Sequence, residues 1–275
     1  MEVKTVTGWS GSLRAGVREA SPGGADRPPL LIFNGLGASL ELLEPLAAAL
    51  PDRTLMVIDA PGVGTTPPLF PYRFWTLAWL TRQLIRESGW GDGPVDVLGV
   101  SWGGCLAQQF AVQFPRQCRR LILAATSPGT LMVPGRPTAL LNMLQMAFHP
   151  GEVSATRWLA PVFGRSPDAG TAAVIRHGLR AGKSDFLSQT WQLLALWGWT
   201  SLPWLGRICQ PTLILAGEDD PIVPPANARL LAALIPQARL RLFPDGHGFL
   251  LTRAGQAAAE VEAFLAAPEG VPEVR

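Results

Sequence analysis

The stretch with the clearest chemistry is Gly99-Val100-Ser101-Trp102-Gly103. An apolar run, Val95 to Val100, stops at Ser101, and a helical pattern opens directly after it. Glycines two residues away on each side complete G-x-S-x-G, the arrangement of a nucleophile elbow at a strand-to-helix turn. Small flanking residues let the strand and helix backbones approach closely around a strained serine. A serine hydroxyl is a weak nucleophile and needs a base within hydrogen-bond reach, itself oriented by a third group. The chain offers three histidines. His149 and His177 fall in a segment without strand patterns and read as solvated or capping residues. His247 sits in Asp245-Gly246-His247-Gly248-Phe249, between the last strand pattern and the last helix. That loop opens at the carboxyl end of the sheet, the edge that also carries Ser101. His247 is therefore the candidate base.

The orienting acid belongs after a strand that lies between Ser101 and His247 in sequence. Glu218, Asp219 and Asp220 follow the strand pattern 212–216. The frame G-x-x-D-x-x-V-P, met here from Gly217 to Pro224, places the acid at Asp220; Asp219 and Glu218 are the alternatives. The other position for an acid, after the strand pattern 121–125, holds Thr126-Ser127-Pro128 and no carboxylate. Acyl transfer also needs donors aimed at the developing oxyanion. One is the backbone N–H of Trp102, at a helix N-terminus. The second is expected from Asn34-Gly35-Leu36-Gly37, through the main chain of Leu36. This glycine-rich loop lacks the lysine and spacing of a phosphate cradle. Asp59 in Asp59-Ala60-Pro61-Gly62-Val63-Gly64 reads as a loop anchor. Dispersed histidines without H-E-x-x-H leave nothing to hold a metal, and no cofactor is expected.

These residues need a scaffold, and the patterns supply one. Short apolar runs at 30–33, 55–58, 95–99, 121–125, 212–216 and 240–243 alternate with helical stretches at 38–50, 74–88, 102–114, 225–235 and 255–266. That alternation implies a mostly parallel, helix-covered sheet, an α/β fold. Two short strands within residues 3–19 precede it. From Ser127 to about Arg207 the rhythm breaks, and helical segments appear near 137–148 and 185–199. The core domain is therefore expected at residues 1–126 and 208–275, with 127–207 as an inserted helical cap. The cap holds five of the ten tryptophans, Trp158, Trp191, Trp197, Trp199 and Trp204. They suit either a small core of their own or an apolar substrate tunnel.

Composition narrows the classes further. Of 275 residues 48% are hydrophobic and 16% charged, enough for a large core. The net charge of +2 comes from dispersed arginines, with Lys4 and Lys183 the only lysines, so nucleic acid is not an expected partner. No run of about eighteen apolar residues suggests a membrane span. Cys105, Cys118 and Cys209 are odd in number and widely spaced, which fits apolar filler in a reducing cytoplasm.

Several segments together resemble the intracellular medium-chain-length polyhydroxyalkanoate depolymerases, in the α/β-hydrolase superfamily. They are Phe33-Asn34-Gly35, Asp59 to Gly64, Gly99 to Gly104, Leu106-Ala107-Gln108-Gln109-Phe110-Ala111 and Leu123 to Thr126. Met132-Val133-Pro134-Gly135, Gly198-Trp199-Thr200-Ser201 and Pro211 to Pro224 carry the likeness onward. Many relatives have His where Asn34 stands. The resemblance implies a cytoplasmic serine hydrolase at storage granules, cleaving ester links in polyesters of 3-hydroxyacids. It implies Ser101 as nucleophile, Asp220 as orienting acid and His247 as base, with Asn34, Trp199 and Met132 as candidate substrate-binding residues. The likeness is weak over residues 150–185, where a preference for side-chain length would reside. A lipase-like carboxylesterase, a non-catalytic granule-coating protein, and a carbon–carbon bond hydrolase or cofactor-free haloperoxidase are the competing readings.

Overall fold

A computed structural model describes residues 1–8, 11–21, 24, 27–66, 68–69, 71–148, 169–181 and 186–268. Eight strands form one sheet: β1 (Glu2–Gly8), β2 (Gly11–Arg18), β3 (Leu30–Phe33), β4 (Leu55–Ile58), β5 (Val95–Val100), β6 (Cys118–Ala124), β7 (Thr212–Gly217) and β8 (Ala238–Phe243). Their order across the sheet is β1-β2-β4-β3-β5-β6-β7-β8. The β1–β2 and β2–β4 pairs are antiparallel, and every pair from β4 onward is parallel. Parallel strands are covered on both faces, which is why Leu30–Phe33 and Leu55–Ile58 are continuous apolar runs with every residue buried.

Alternation along the strands feeds two cores. Leu31 and Phe33 face a core shared with α2 (Phe74–Glu87), α3 (Trp102–Gln113) and α7 (Pro225–Leu234). Leu30 and Ile32 face a second, built with α1 (Glu44–Ala48), α8 (Phe249–Thr252) and α9 (Ala254–Ala266). The chain runs from β3 to β4 on one side and returns to β5 on the other, so the strand order reverses between β3 and β5. A crevice at the carboxyl ends of the strands forms at such a switch point, and the 34–37 loop and Ser101 both stand there.

Most strand and helix expectations are met closely. The helix expected over 38–50 is a 3-10 turn, Leu40–Leu43, followed by the five-residue α1. Pro45 lacks a backbone N–H and fits only the first turn of a helix, so α1 begins at Glu44. The final helix, α9, runs from Ala254 to Ala266, close to the expected 255–266, and the short α8 precedes it across Arg253. Cys105 and Cys118 are buried filler, but Cys209 is exposed, in the turn that leads into β7.

Between β6 and β7 the described residues hold α4 (Pro137–Phe148), α5 (Ala169–Ala181), α6 (Phe186–Leu196) and a 3-10 turn, Leu202–Arg207. Helix α5 was not foreseen. Its Ala- and Gly-rich sequence carries too few large apolar residues to mark a face. His149 and Trp158 lie outside the described residues.

The segment is fastened at both roots to the elbow helix α3. Gln108 donates to the carbonyls of Gly104 (3.1 Å) and Ser127 (3.0 Å), and its Oε1 accepts from the Ser201 hydroxyl at 2.6 Å. Gln109 Oε1 accepts from the Trp199 indole at 3.0 Å. Gly129 and Thr200 form a short antiparallel bridge between the two roots.

Candidate active site

Ser101 is the cap residue between β5 and α3, with φ of 53° and ψ of −116°. A positive φ is costly for a residue with a Cβ, and it persists where neighbours over-determine the turn. Here the Ser101 amide donates to Ala124 O (2.8 Å), and its carbonyl accepts from Gly104 N (2.9 Å) and the Thr126 hydroxyl (2.6 Å). The glycines of the motif are space-limited. A Cβ on Gly99 would lie 2.5 Å from Gly103 O, and one on Gly103 would lie 2.4 Å from the carbonyl oxygens of Phe33 and Asn34. Thr126, at the position that lacks a carboxylate, thus clamps the elbow.

His247 and Asp220 meet from two neighbouring loops. The end of β7 and the His247 loop run together, through Glu218 N to Phe243 O (2.9 Å) and Asp219 N to Asp245 O (3.1 Å). A Cβ on Gly217 would lie 2.4 Å from Gly246 O, so this closeness also needs glycine. His247 Nδ1 is 2.7 Å from Asp220 Oδ2, and Asp220 Oδ1 accepts from Ile222 N (2.8 Å) and Val223 N (2.9 Å). The acid is thereby fixed by two backbone donors and turned toward the imidazole. Glu218 and Asp219 are exposed, whereas Asp220 is buried. The His247 ring is 14% exposed, so it borders solvent or substrate on its other side.

Asp245 supports this loop, and sequence reasoning missed it. Its carboxylate accepts from Gly246 N (2.8 Å), the Thr252 hydroxyl (2.9 Å) and Arg253 Nε (3.0 Å). The Asp-Gly pair, a turn-forming dipeptide, was the signal available.

The 34–37 loop flanks the elbow: a Cβ on Gly35 would be 3.7 Å from Ser101 Cβ. Asn34, expected to meet substrate, turns its carboxamide inward instead. Nδ2 donates to Ser39 O (2.7 Å), Oδ1 accepts from Gly35 N (2.8 Å), and the residue is 5% exposed. It shapes the loop that carries Leu36, and the cavity it lines, about 20 Å³, is too small for an acyl chain. Trp199 packs edge-on against Phe74 (centroids 4.9 Å) and Trp204 (5.6 Å) in the main core. Met132 packs beside Ile222 and Val223 of the acid loop, with Ala139 and Ile175.

Asp59 is the loop anchor expected of it. It accepts from Leu40 N (2.6 Å) and pairs with Arg14 (2.9 Å), which also binds Glu41. Burial pushes the Asp59 carboxyl up to about 7, against the pull of Arg14. For Glu41 burial acts upward too, but hydrogen bonds from Arg14 and Ser39 prevail and bring it down to about 2. Among the described residues no group of three or more His, Cys, Asp or Glu side chains could hold a metal ion. No helix among them is long and apolar enough to cross a membrane.

Known proteins match this architecture. The family model of the alpha/beta hydrolase fold matches residues 28–254. The chain is 44% identical over 256 residues to the poly(3-hydroxyalkanoate) depolymerase of Ectopseudomonas oleovorans, spanning 92% of this chain and 89% of that one. A solved hydrolase from Pseudomonas aeruginosa PA01 superposes with a TM-score of 0.76 at 24% identity, over 96% of this chain and 98% of that one. The thermophilic esterase of Thermogutta terrifontis gives 0.77 at 20% identity, over 96% and 98%. At those identities the two structures speak for the fold alone. Family model and close relative together settle the lineage: the chain belongs to the α/β-hydrolase fold family, alongside the poly(3-hydroxyalkanoate) depolymerase, and is an ester hydrolase.

Proposed function

We propose that the protein hydrolyses ester bonds of medium-chain-length poly(3-hydroxyalkanoate), or of its oligomers, through Ser101, His247 and Asp220. The observation that carries the reading is the 2.7 Å bond from His247 Nδ1 to a buried, doubly anchored Asp220, on the sheet edge where Ser101 is held at φ 53°. An acid at Nδ1 keeps the proton there and leaves the Nε2 lone pair for chemistry. His247 Nε2 takes the Ser101 proton as Oγ attacks the ester carbonyl. The tetrahedral oxyanion is held by the backbone N–H groups of Trp102 and Leu36. Collapse expels the alcohol, which receives the proton from His247, and leaves an acyl-serine. Water, activated by the same imidazole, then releases the hydroxyacid end and restores Ser101.

Residues 127–207 serve in this reading as the cap over the site, with Met132 beside the acid loop as part of the acyl wall. Several large apolar residues face outward near the cap. Trp197 is 70% exposed, and Leu131, Leu194 and Trp75 are exposed too. Arg73, just before Trp75 in sequence, donates to the carbonyls of Leu194 (2.7 Å) and Trp197 (3.3 Å). Contiguous exposed apolar surface marks an interaction site. We assign this one to the surface of a cytoplasmic polyester granule.

The test is a hydrolysis panel of medium-chain polyester latex, triglyceride emulsion and nitrophenyl octanoate. The expected result is turnover of latex above triglyceride, with Ser101→Ala lowering all ester hydrolysis by roughly five to six orders of magnitude. Preference for triglyceride would replace the polyester reading with that of a lipase-like esterase.

A further inference from the structure

Helix α6 is amphipathic in the unexpected sense. Its fully buried residues are Ser188, Gln189, Gln192 and Ala195, beside Trp191 and Leu196 packed on the main core, while Phe186 (71%), Leu187 and Leu194 are exposed. Surface helices ordinarily bury the apolar stripe. Gln189 and Gln192 are three residues apart and so share a face. Both are more than nine-tenths buried, at 4% and 0% exposed.

That face lies on the loops of the catalytic edge. Gln192 Oε1 accepts from Gly37 N at 2.9 Å, and the Gln192 carbonyl accepts from the Trp102 indole at 2.8 Å. A Cβ on Gly37 would be 3.6 Å from Gln189 Nε2, so the second carboxamide rests on the same glycine. Gly35, two residues back, faces Ser101. Two residues of chain span at most about 7 Å, so both amides are seated on the loop that flanks Ser101, on the side of the catalytic edge. Gln189 Oε1 and Gln192 Nε2 are buried, and among the described residues neither has a hydrogen-bond partner. One is an acceptor and the other a donor. Buried polar groups are normally satisfied, and leaving them unmade is costly.

We propose that Gln189 and Gln192 are specificity-determining residues that read a second, neutral oxygen function on the acyl chain, close to the scissile carbonyl. An acceptor and a donor without charge suit a hydroxyl or an ester carbonyl and give a carboxylate no counter-charge. The ligand class is therefore the 3-hydroxyacyl or 3-acyloxyacyl ester, selected over the plain alkanoyl ester of equal length. Gln192 has a positioning role as well, because its Oε1 holds Gly37 in the loop that carries Leu36. This inference rests on the proposed use of Ser101.

The experiment compares nitrophenyl 3-hydroxyoctanoate with nitrophenyl octanoate on the full chain, its Gln189→Leu variant and its Gln192→Leu variant. The expected parent prefers the hydroxy ester. Gln189→Leu lowers the ratio of the two kcat/KM values about tenfold, mainly through KM for the hydroxy ester, the size of one lost polar contact. Replacing an unpartnered buried amide by an apolar side chain costs the fold little, so Gln189→Leu melts at or above the parent. Gln192→Leu lowers the ratio and also lowers kcat on both esters, since Gly37 is released. An unchanged ratio in Gln189→Leu, or a parent that hydrolyses both esters equally well, overturns this proposal alone. A parent that hydrolyses neither ester overturns it together with the Ser101 reading.

Discussion

At the scale of single residues, strain and orientation are concentrated on three side chains. Ser101 keeps a left-handed backbone because Ala124, Gly104 and Thr126 all bind its peptide groups. Asp220 is pinned by two amides on one oxygen, so its other oxygen serves the imidazole. In Asp220→Asn the Oδ1 acceptor survives, but an amide donor faces His247 Nδ1 and favours the wrong tautomer. The variant is expected to melt near the parent temperature while kcat falls roughly 10⁴-fold, measured with nitrophenyl octanoate. Much of this was legible in the sequence. Three histidines left one in a strand-to-helix loop, and the missing carboxylate after β6 pointed onward to β7. The roles of Asn34 and Asp245 were not, because a side chain that bonds its own loop looks the same in sequence as one that faces a ligand.

At the scale of elements, α3 is tied to both ends of the segment inserted after β6. Gln108 joins Gly104, Ser127 and Ser201, so one buried amide links the elbow helix to both roots. Gln108→Leu would leave the Ser201 hydroxyl unpaired and the Ser127 carbonyl with only the weak Cys105 thiol donor at 3.7 Å. At about 1–3 kcal/mol for an orphaned buried group, a loss of at least about 1–3 kcal/mol is expected in urea unfolding, with a lower thermal midpoint. Strands β3, β4 and β7 were readable because strands buried on both faces are written as unbroken apolar runs, and β5 stayed readable although the buried Asp96 interrupts it. Helix α5 and the break at Pro45 were not. The first lacks large apolar residues, and the second depends on where a proline falls within a turn. The inward polar face of α6 was hidden for a related reason, since apolar periodicity identifies a helix without saying which face is covered.

At the scale of the whole molecule, one end of the sheet carries the residues assigned to the proposed chemistry. The reversal of strand order between β3 and β5 opens the crevice, and the loops after β3, β5, β7 and β8 reach it. Outside, the exposed Trp75 and Trp197 face what we take to be the polyester surface. Replacing both with serine is expected to lower turnover of latex particles at least about tenfold relative to turnover of a dissolved ester, with binding followed by sedimentation. The composition and the strand alternation already implied this scaffold. They carried no information on what the outer surface meets, because exposed apolar residues are common on any protein.

The most direct measurement is the intact mass of the protein after treatment with a fluorophosphonate, followed by peptide mapping. The expected result is one phosphonyl group per chain, carried on the peptide that contains Ser101, and none on Ser101→Ala. A chain that stays unlabelled, or a label carried by another residue, would contradict Ser101 as the nucleophile.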